Sequence, residues 1–366
     1  MTTSTSNRNP INNMFLFAAI ALALCLFSYF VFFSPRRKMP CAYDSPFGVL
    51  EFLHWDHSWN SHKYGSEADL RKAVSLMKEA RVGWVRMDFL WGDIEPKKGK
   101  FDFAKYDRIV TLLEKKGISI LGILHYSADW ASACGKWNCP PRKQDDFIRY
   151  ASMVMRRYKG RVCHWELWNE PDSPTYWQPQ DKLVSYCLML KEFYREAKKI
   201  NPNCKVLNGG LAEGATSIDY LYDNGAGEYF DIMNVHFFQN PLYPGAVKAV
   251  ANYPGLVHEI MLRHGDGDKR IWITEIGCPG VAEGADTAGW WLGENPGEEE
   301  QASWLKYVYG ELLKSPYVDK IFWAFFRDTR RHWNDGVDYF GMLRWDFSRK
   351  PSFYTYQECA REWRSK

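Results

Sequence analysis

Two glutamates stand where short apolar runs stop. Glu170 closes Cys163-His-Trp-Glu-Leu-Trp-Asn-Glu-Pro-Asp172, and Glu275 lies in Ile271-Trp-Ile-Thr-Glu-Ile-Gly277. Breaking a glycosidic bond needs one carboxyl group to protonate the leaving oxygen. It needs a second carboxylate to attack the anomeric carbon or to activate water. Glu275, between Thr274 and Ile276 in an apolar run, is costly to bury unless paired or used. Glu170, ahead of Pro171, also fits an inert acid at a helix start. Other polar or aromatic groups end apolar runs in the same way: His54, Arg86, Asp88, His125, Trp168, Asn169, His236 and Trp323. Arg86 beside a carboxylate would lower its pKa, or it is a structural partner of Asp88 or Glu51. Each lone histidine suits a satisfied core position as well as a ligand contact.

Eight runs can carry these groups. They are Phe47–Leu53, Val82–Asp88, Ile118–Leu124, Cys163–Asn169, Cys204–Gly209, Asp231–Phe237, Arg270–Ile276 and Lys320–Phe326. They are short, and several are rich in Val and Ile, as strands buried on both faces are. Helix-period stretches alternate with them: Glu67–Ala80 behind Ser66, Phe103–Lys116 before Gly117, Asp145–Tyr158, Gln180–Ile200, Ala246–Arg263 with Pro254 and Gly255 inside it, and Glu298–Lys314. This alternation predicts an α/β protein whose single catalytic domain, residues 47–366, is a (β/α)8 TIM barrel. Such barrels carry their sites at the carboxyl ends of the strands. A doubly wound sheet is the runner-up, but no Gly-rich phosphate turn follows the first strand. Strands four and seven of a barrel face each other across its mouth, so Glu170 and Glu275 can reach one ligand.

The motif around Glu170 resembles the fourth-strand signature of clan A glycoside hydrolases, whose Asn-Glu-Pro carries the acid/base. The motif around Glu275 resembles their seventh-strand nucleophile motif. Trp-Asn-Glu-Pro-Asp, with Trp165 and Glu166 ahead of it, is most similar to family 39, over about residues 47–363. The resemblance implies a retaining glycosidase with Glu170 as acid/base and Glu275 as nucleophile. Asn169 would bind the sugar 2-hydroxyl, Arg86 would hold Glu275 ionised, and His236 would touch the nucleophile. Trp323 would be the platform under the sugar; His125 and Trp168 complete the substrate-binding set. Glu166 is expected to point outward or to pair inside the barrel. No cofactor is implied, and no Cys/His cluster has a zinc spacing, so no metal is expected. Exo-acting members usually add a β-sandwich, so endo action on a polysaccharide, as in exopolysaccharide trimming, is favoured over an exo-acting xylosidase type. A groove lined by Trp130, Trp137, Trp177 and Trp290 would fit endo action. A transglycosylase using the same site and a non-catalytic carbohydrate-binding barrel are the alternatives.

Of the 366 residues, 46% are apolar and 16% aromatic, which excludes a disordered chain. Four of the 47 basic residues and none of the 44 acids precede residue 41, so the body is close to neutral and unsuited to nucleic acid. Met14–Phe33 supplies the ~20 apolar residues of a membrane-spanning helix. It predicts a transmembrane anchor, residues 14–33, between a short tail, 1–13, and a linker, 34–46. A cleaved signal is the alternative. The membrane is then a partner, and polysaccharide synthesis or export machinery a neighbour. Arg36, Arg37 and Lys38 would keep the body on the cytoplasmic face. Cysteine usage points the other way: a disulfide could close Cys134 to Cys139, and Cys41 could staple Cys359. An extracytoplasmic body on a single-pass anchor is the expectation.

Overall fold

The computed structural model describes residues 45–363, apart from 59, 61–63, 286 and 291–293. Eight parallel strands close in chain order into a barrel. They are β1 Phe47–Leu50, β2 Trp84–Leu90, β3 Ser119–His125, β4 His164–Leu167, β5 Lys205–Leu207, β6 Ile232–His236, β7 Arg270–Ile276 and β8 Val318–Ala324. Among the described residues, eight helices of nine residues or more surround them, besides a single turn at Trp91–Ile94: α1 Glu67–Glu79, α2 Ala104–Lys116, α3 Gln144–Arg157, α4 Val184–Ile200, α5 Ala215–Asp223, α6 Ala246–Arg263, α7 Glu298–Leu312 and α8 Pro351–Trp363. The expected TIM barrel is therefore what forms, and each strand overlaps its apolar run. α5 and α8 were not among the stretches read from periodicity. Pro254 does not break α6, because Val250, Tyr253 and Val257 bury that face of the helix against the barrel. The segment Met14–Phe33 lies outside the described residues. Among those described, no helix is long and apolar enough to cross a membrane.

The pleat sorts the interior into layers, because alternate residues of a strand face the axis. Trp84, Leu121, Leu207, Ile232, Trp272 and Phe322 form an apolar plug. His164 stacks on Trp272 at 5.0 Å, and the Lys320 ammonium lies over the Trp84 and Trp272 rings. Two residues further along their strands, the same face presents Arg86, Glu166, Asn234 and Thr274, all buried. A polar layer thus sits on an apolar floor, at the carboxyl ends of the strands.

One irregularity aims the seventh strand. Against β6, Val235 pairs with Ile273 and then His236 with Glu275; against β8, Ile273 pairs with Ile321 and then Ile276 with Trp323. Both ladders skip one residue of β7, which makes a bulge at Thr274 and Glu275. A regular strand would send these neighbours to opposite faces; the bulge lets both address the axis.

Cys134 and Cys139 form the expected disulfide. Cys163 is also disulfide-bonded. Cys359 is a free thiol, which corrects the expected staple to Cys41; it lies on α8, an element that sequence spacing did not place.

The outer barrel face is tightly filled at Gly122. A Cβ there would fall 2.7 Å from the Trp165 ring and 2.9 Å from the Phe89 ring. Gly122→Ala should cost about 1–3 kcal/mol through overpacking. Thermal denaturation should show Tm lowered by roughly 2–10 °C; an unchanged Tm would refute this account of the packing.

Candidate active site

Arg86 organises the polar layer. Its Nε and Nη2 donate to the two oxygens of Glu166, each at 2.8 Å. Nη2 also donates to Asn169 Oδ1 at 2.8 Å, and Nη1 to Glu275 Oε1 at 2.5 Å. Glu166 is fully buried, as expected of a residue pairing inside the barrel, and accepts a further hydrogen bond from the Gly210 amide. Burial works against the Arg86 charge, but Glu166 and Glu275 more than offset it and raise its pKa. For Glu275, burial raises the carboxyl above its ordinary value, while His236 and Arg86 pull it down. The expected pull of Arg86 is present, and desolvation outweighs it.

Glu170 is placed by a kinked strand end. Trp168 and Glu170 both adopt left-handed backbone, with φ of 66° and 44°, a region that non-glycine residues seldom occupy. Between them, Asn169 bridges to Gly210. A Cβ on Gly210 would fall 2.0 Å from His236 Nε2. The glycine, which carried no role in the sequence, leaves the space that the imidazole fills.

His236 links the two glutamates. Its Nδ1 lies 2.7 Å from Glu170 Oε1, and its Nε2 lies 3.1 Å from Thr274 Oγ1 and 3.7 Å from Glu275 Oε1. The Thr274 hydroxyl donates to Asn234 Oδ1 at 2.6 Å, and Asn234 Nδ2 donates to the Asn208 carbonyl. The single Thr274 proton is thereby used, so Thr274 can only accept from His236. Nε2 then carries the imidazole proton, and the Nδ1 lone pair faces Glu170. Burial pushes Glu170 up to about 8, with Asp172, Glu213 and Glu166 adding to the rise and Arg86 opposing it. Burial also lowers the His236 pKa. Both shifts fit a neutral imidazole accepting from a protonated Glu170.

One carboxyl oxygen of Glu170 and one of Glu275 lie within 4.8 Å of each other, with His236 between. The side chains keep 12% and 14% of their exposure, enough to meet a ligand. Glu170, His236 and Glu275 converge as metal ligands can. Here both imidazole nitrogens are engaged, and a guanidinium already holds the Glu275 oxygen, so the set is built to handle a proton.

The remaining expected residues divide. His125 and His54 flank Asp88, at 3.3 and 3.5 Å. Burial raises the Asp88 pKa, but the two histidines and Arg86 bring it down to about 2. Both imidazoles are buried and turn Nε2 toward the Asp88 carboxylate, so they hold that carboxylate in place. Asn169 gives its oxygen to Arg86. Trp323 is corrected: it is fully buried, with its indole donating to the Phe340 carbonyl, so it offers no face to a sugar. Trp168 is corrected likewise; it is fully buried and donates to the Tyr176 carbonyl. Of the four groove tryptophans, Trp177 and Trp290 are buried and Trp130 is tied to the Glu95 carbonyl. Trp137 is 46% exposed. Thr274, Asn234, Tyr126 and Tyr176 were not among the expected residues. Thr274 is adjacent to Glu275, but no motif marks a hydroxyl that works through a bulge.

The fold is shared with solved glycoside hydrolases of clan A. A family 39 enzyme from Bacteroides cellulosilyticus superposes with a TM-score of 0.67 at 23% identity, covering 86% of this chain and 63% of that one. A family 39 β-xylosidase from Caulobacter crescentus gives 0.62 at 17% identity, covering 86% and 70%. A family model described as β-galactosidase, of glycoside hydrolase family 42, matches residues 60–123. A β-galactosidase from Haloferax lucentense is 31% identical over 115 residues, which is 31% of this chain and 15% of that protein. Beta-glucosidase 47 of Arabidopsis thaliana is 28% identical over 120 residues, 30% of this chain and 21% of that protein. The chain thus spans about a fifth or less of the length of these curated relatives. The solved neighbours share the barrel fold that the sequence resemblance to clan A and to family 39 implies.

The relay makes a spectroscopic prediction. Histidine 15N resonances should show His236 neutral with its proton on Nε2. Thr274→Val removes the acceptor, so the proton should move to Nδ1 and stabilise an ionised Glu170. The Glu170 titration should then fall by about one pH unit or more from its position near 8. Thr274→Ser should keep the wild-type pattern; an unchanged tautomer in the valine variant would rule the relay out.

Proposed function

We propose that the protein is a retaining glycoside hydrolase acting on a β-linked polysaccharide, cutting within the chain, at the outer side of a membrane. The observation that carries this reading is the approach of Glu170 and Glu275 to within 4.8 Å, with Arg86 on one and His236 on the other. Retaining enzymes hold their carboxyl groups about 5–5.5 Å apart, whereas inverting ones leave about 6.5–9.5 Å for a water. Glu275 attacks the anomeric carbon while Glu170 gives its proton to the departing oxygen. A glycosyl ester forms on Glu275. Glu170, now a carboxylate, takes a proton from water as that water attacks the anomeric carbon and the bond to Glu275 breaks. The high pKa of Glu170 suits the first step. His236, held as an acceptor by Thr274, keeps Glu170 protonated until a leaving group takes that proton. Asn169 Nδ2 is placed for a sugar hydroxyl. The β-xylosidase, β-galactosidase and β-glucosidase among the relatives support a β-glycoside as substrate.

The apolar segment Met14–Phe33 supports a membrane anchor. The Cys134–Cys139 bond and the disulfide at Cys163 support an oxidising, extracytoplasmic compartment for the body. An anchored endo-hydrolase there would trim an exopolysaccharide as it leaves its export machinery. If that is so, protease added to intact spheroplasts should digest the body; protection until lysis would place it on the cytoplasmic face.

A 2-deoxy-2-fluoro glycosyl donor should leave its sugar on the peptide that contains Glu275, read by mass spectrometry. Glu275→Gln should abolish turnover, and Glu170→Ala should regain activity with azide. Wild-type kcat/KM should fall as pH rises through about 8, because the acid form of Glu170 is lost. Labelling elsewhere, or full activity of Glu275→Gln, would sink the assignment.

A further inference from the structure

The loop between β3 and α3 carries a built aromatic ledge. Its two arms pair at Ala133 and Pro140 and at Ser132 and Pro141, and the Cys134–Cys139 disulfide closes its tip. Ser127 ties its base, with its amide donating to the Trp137 carbonyl at 2.9 Å and its hydroxyl to the Cys139 carbonyl at 2.7 Å. Asn138 ties its flank to the segment that follows Glu170. Its carbonyl accepts from the Gln178 amide, and its Nδ2 donates to the Thr175 carbonyl, each at 2.9 Å. The loop so fixed presents Trp137, which remains 46% exposed.

The exposed indole has aromatic backing. Tyr126 meets it edge-on at 4.6 Å, and Tyr176 lies 6.1 Å away. Tyr126 also stacks on His125 at 3.7 Å, so the aromatic row runs from the polar layer outward. Tyr176 lies in the loop that follows Glu170, where its carbonyl accepts from the Trp168 indole, and Tyr126 meets that indole edge-on at 5.6 Å. The row therefore starts beside the strand end that carries Glu170, the side where the leaving group departs. A large indole held rigid and half open at that place offers a flat apolar face, and the C–H face of a pyranose is its complement.

We propose that Trp137, backed by Tyr126 and Tyr176 and braced by the Cys134–Cys139 disulfide, is a binding subsite for the sugar unit on the leaving-group side of the scissile bond. This rests on the retaining-hydrolase reading and names the part of the polymer that the site grips. The same subsite receives an acceptor sugar in the second half of the reaction. The acceptor hydroxyl attacks the anomeric carbon of the Glu275 ester, its proton passes to Glu170, and the bond to Glu275 breaks.

Partitioning between sugar and water tests the subsite. The full chain is given p-nitrophenyl β-xyloside, β-galactoside or β-glucoside as donor, with xylobiose or cellobiose as acceptor. The ratio of transfer product to free sugar is measured for the wild type, Trp137→Ala, Trp137→Tyr and the Cys134→Ser/Cys139→Ser double variant. Because each ratio is internal to one sample, a smaller folded fraction does not change it. The ratio should fall roughly tenfold in Trp137→Ala, stay near the wild type in Trp137→Tyr, and fall in the double serine variant. Equal ratios in the wild type and Trp137→Ala would overturn the subsite while leaving the hydrolase reading intact. An unchanged ratio in the double serine variant would overturn the bracing role. No p-nitrophenol release from any donor by the wild type would overturn the hydrolase reading, and the subsite with it.

Discussion

A guanidinium buried in the barrel axis is the constraint to which the rest of the site answers. Arg86 is 1% exposed and cannot shed its charge. An unpaired cation there would cost several kcal/mol. Glu166 meets that demand with two hydrogen bonds, and it is held in turn by the Gly210 amide. What remains of the guanidinium is directed: one N–H to Asn169, another to Glu275. The structural ion pair and the chemistry are thus one object. Glu166 does no chemistry of its own, yet it keeps Arg86 aimed between the two strand ends.

Backbone irregularities then turn a regular barrel into a site. A strand alternates its side chains, so β7 could present either Thr274 or Glu275 to the axis. The bulge admits both, and each meets a different partner: Thr274 fixes the His236 tautomer, and Glu275 meets Arg86. At β4 the left-handed residues Trp168 and Glu170 bend the chain end over the mouth. The two glutamates differ in surroundings accordingly. Glu275 borders a permanent cation and Glu170 a neutral imidazole, the asymmetry that the proposed acid and nucleophile roles require.

The sequence was most informative where one residue type in one pattern has one use. Short apolar runs gave eight strands, and glutamates at the ends of two of them located the site. Patterns that depend on exposure were opaque. Trp323 and Trp168 look like sugar platforms when read as letters beside a catalytic motif, but their indole N–H groups are spent on backbone carbonyls in the core. The relay through Asn234 and Thr274 depends on a skipped residue in two ladders, which no periodicity reveals. The α5 and α8 helices escaped because their apolar faces are short; α8 keeps only Phe353, Tyr356 and Ala360 as buried apolar residues.

The left-handed backbone at Glu170 has a consequence for how such a barrel ages in evolution. A glycine would take that conformation without steric conflict, and it would also relieve a buried, desolvated carboxyl group. The residue that the fold would prefer at this position and the residue that the chemistry needs are different. On the proposed function, drift toward small residues here would leave a barrel without its proton donor. Descendants of this chain would then lose catalysis more readily than they would lose their shape.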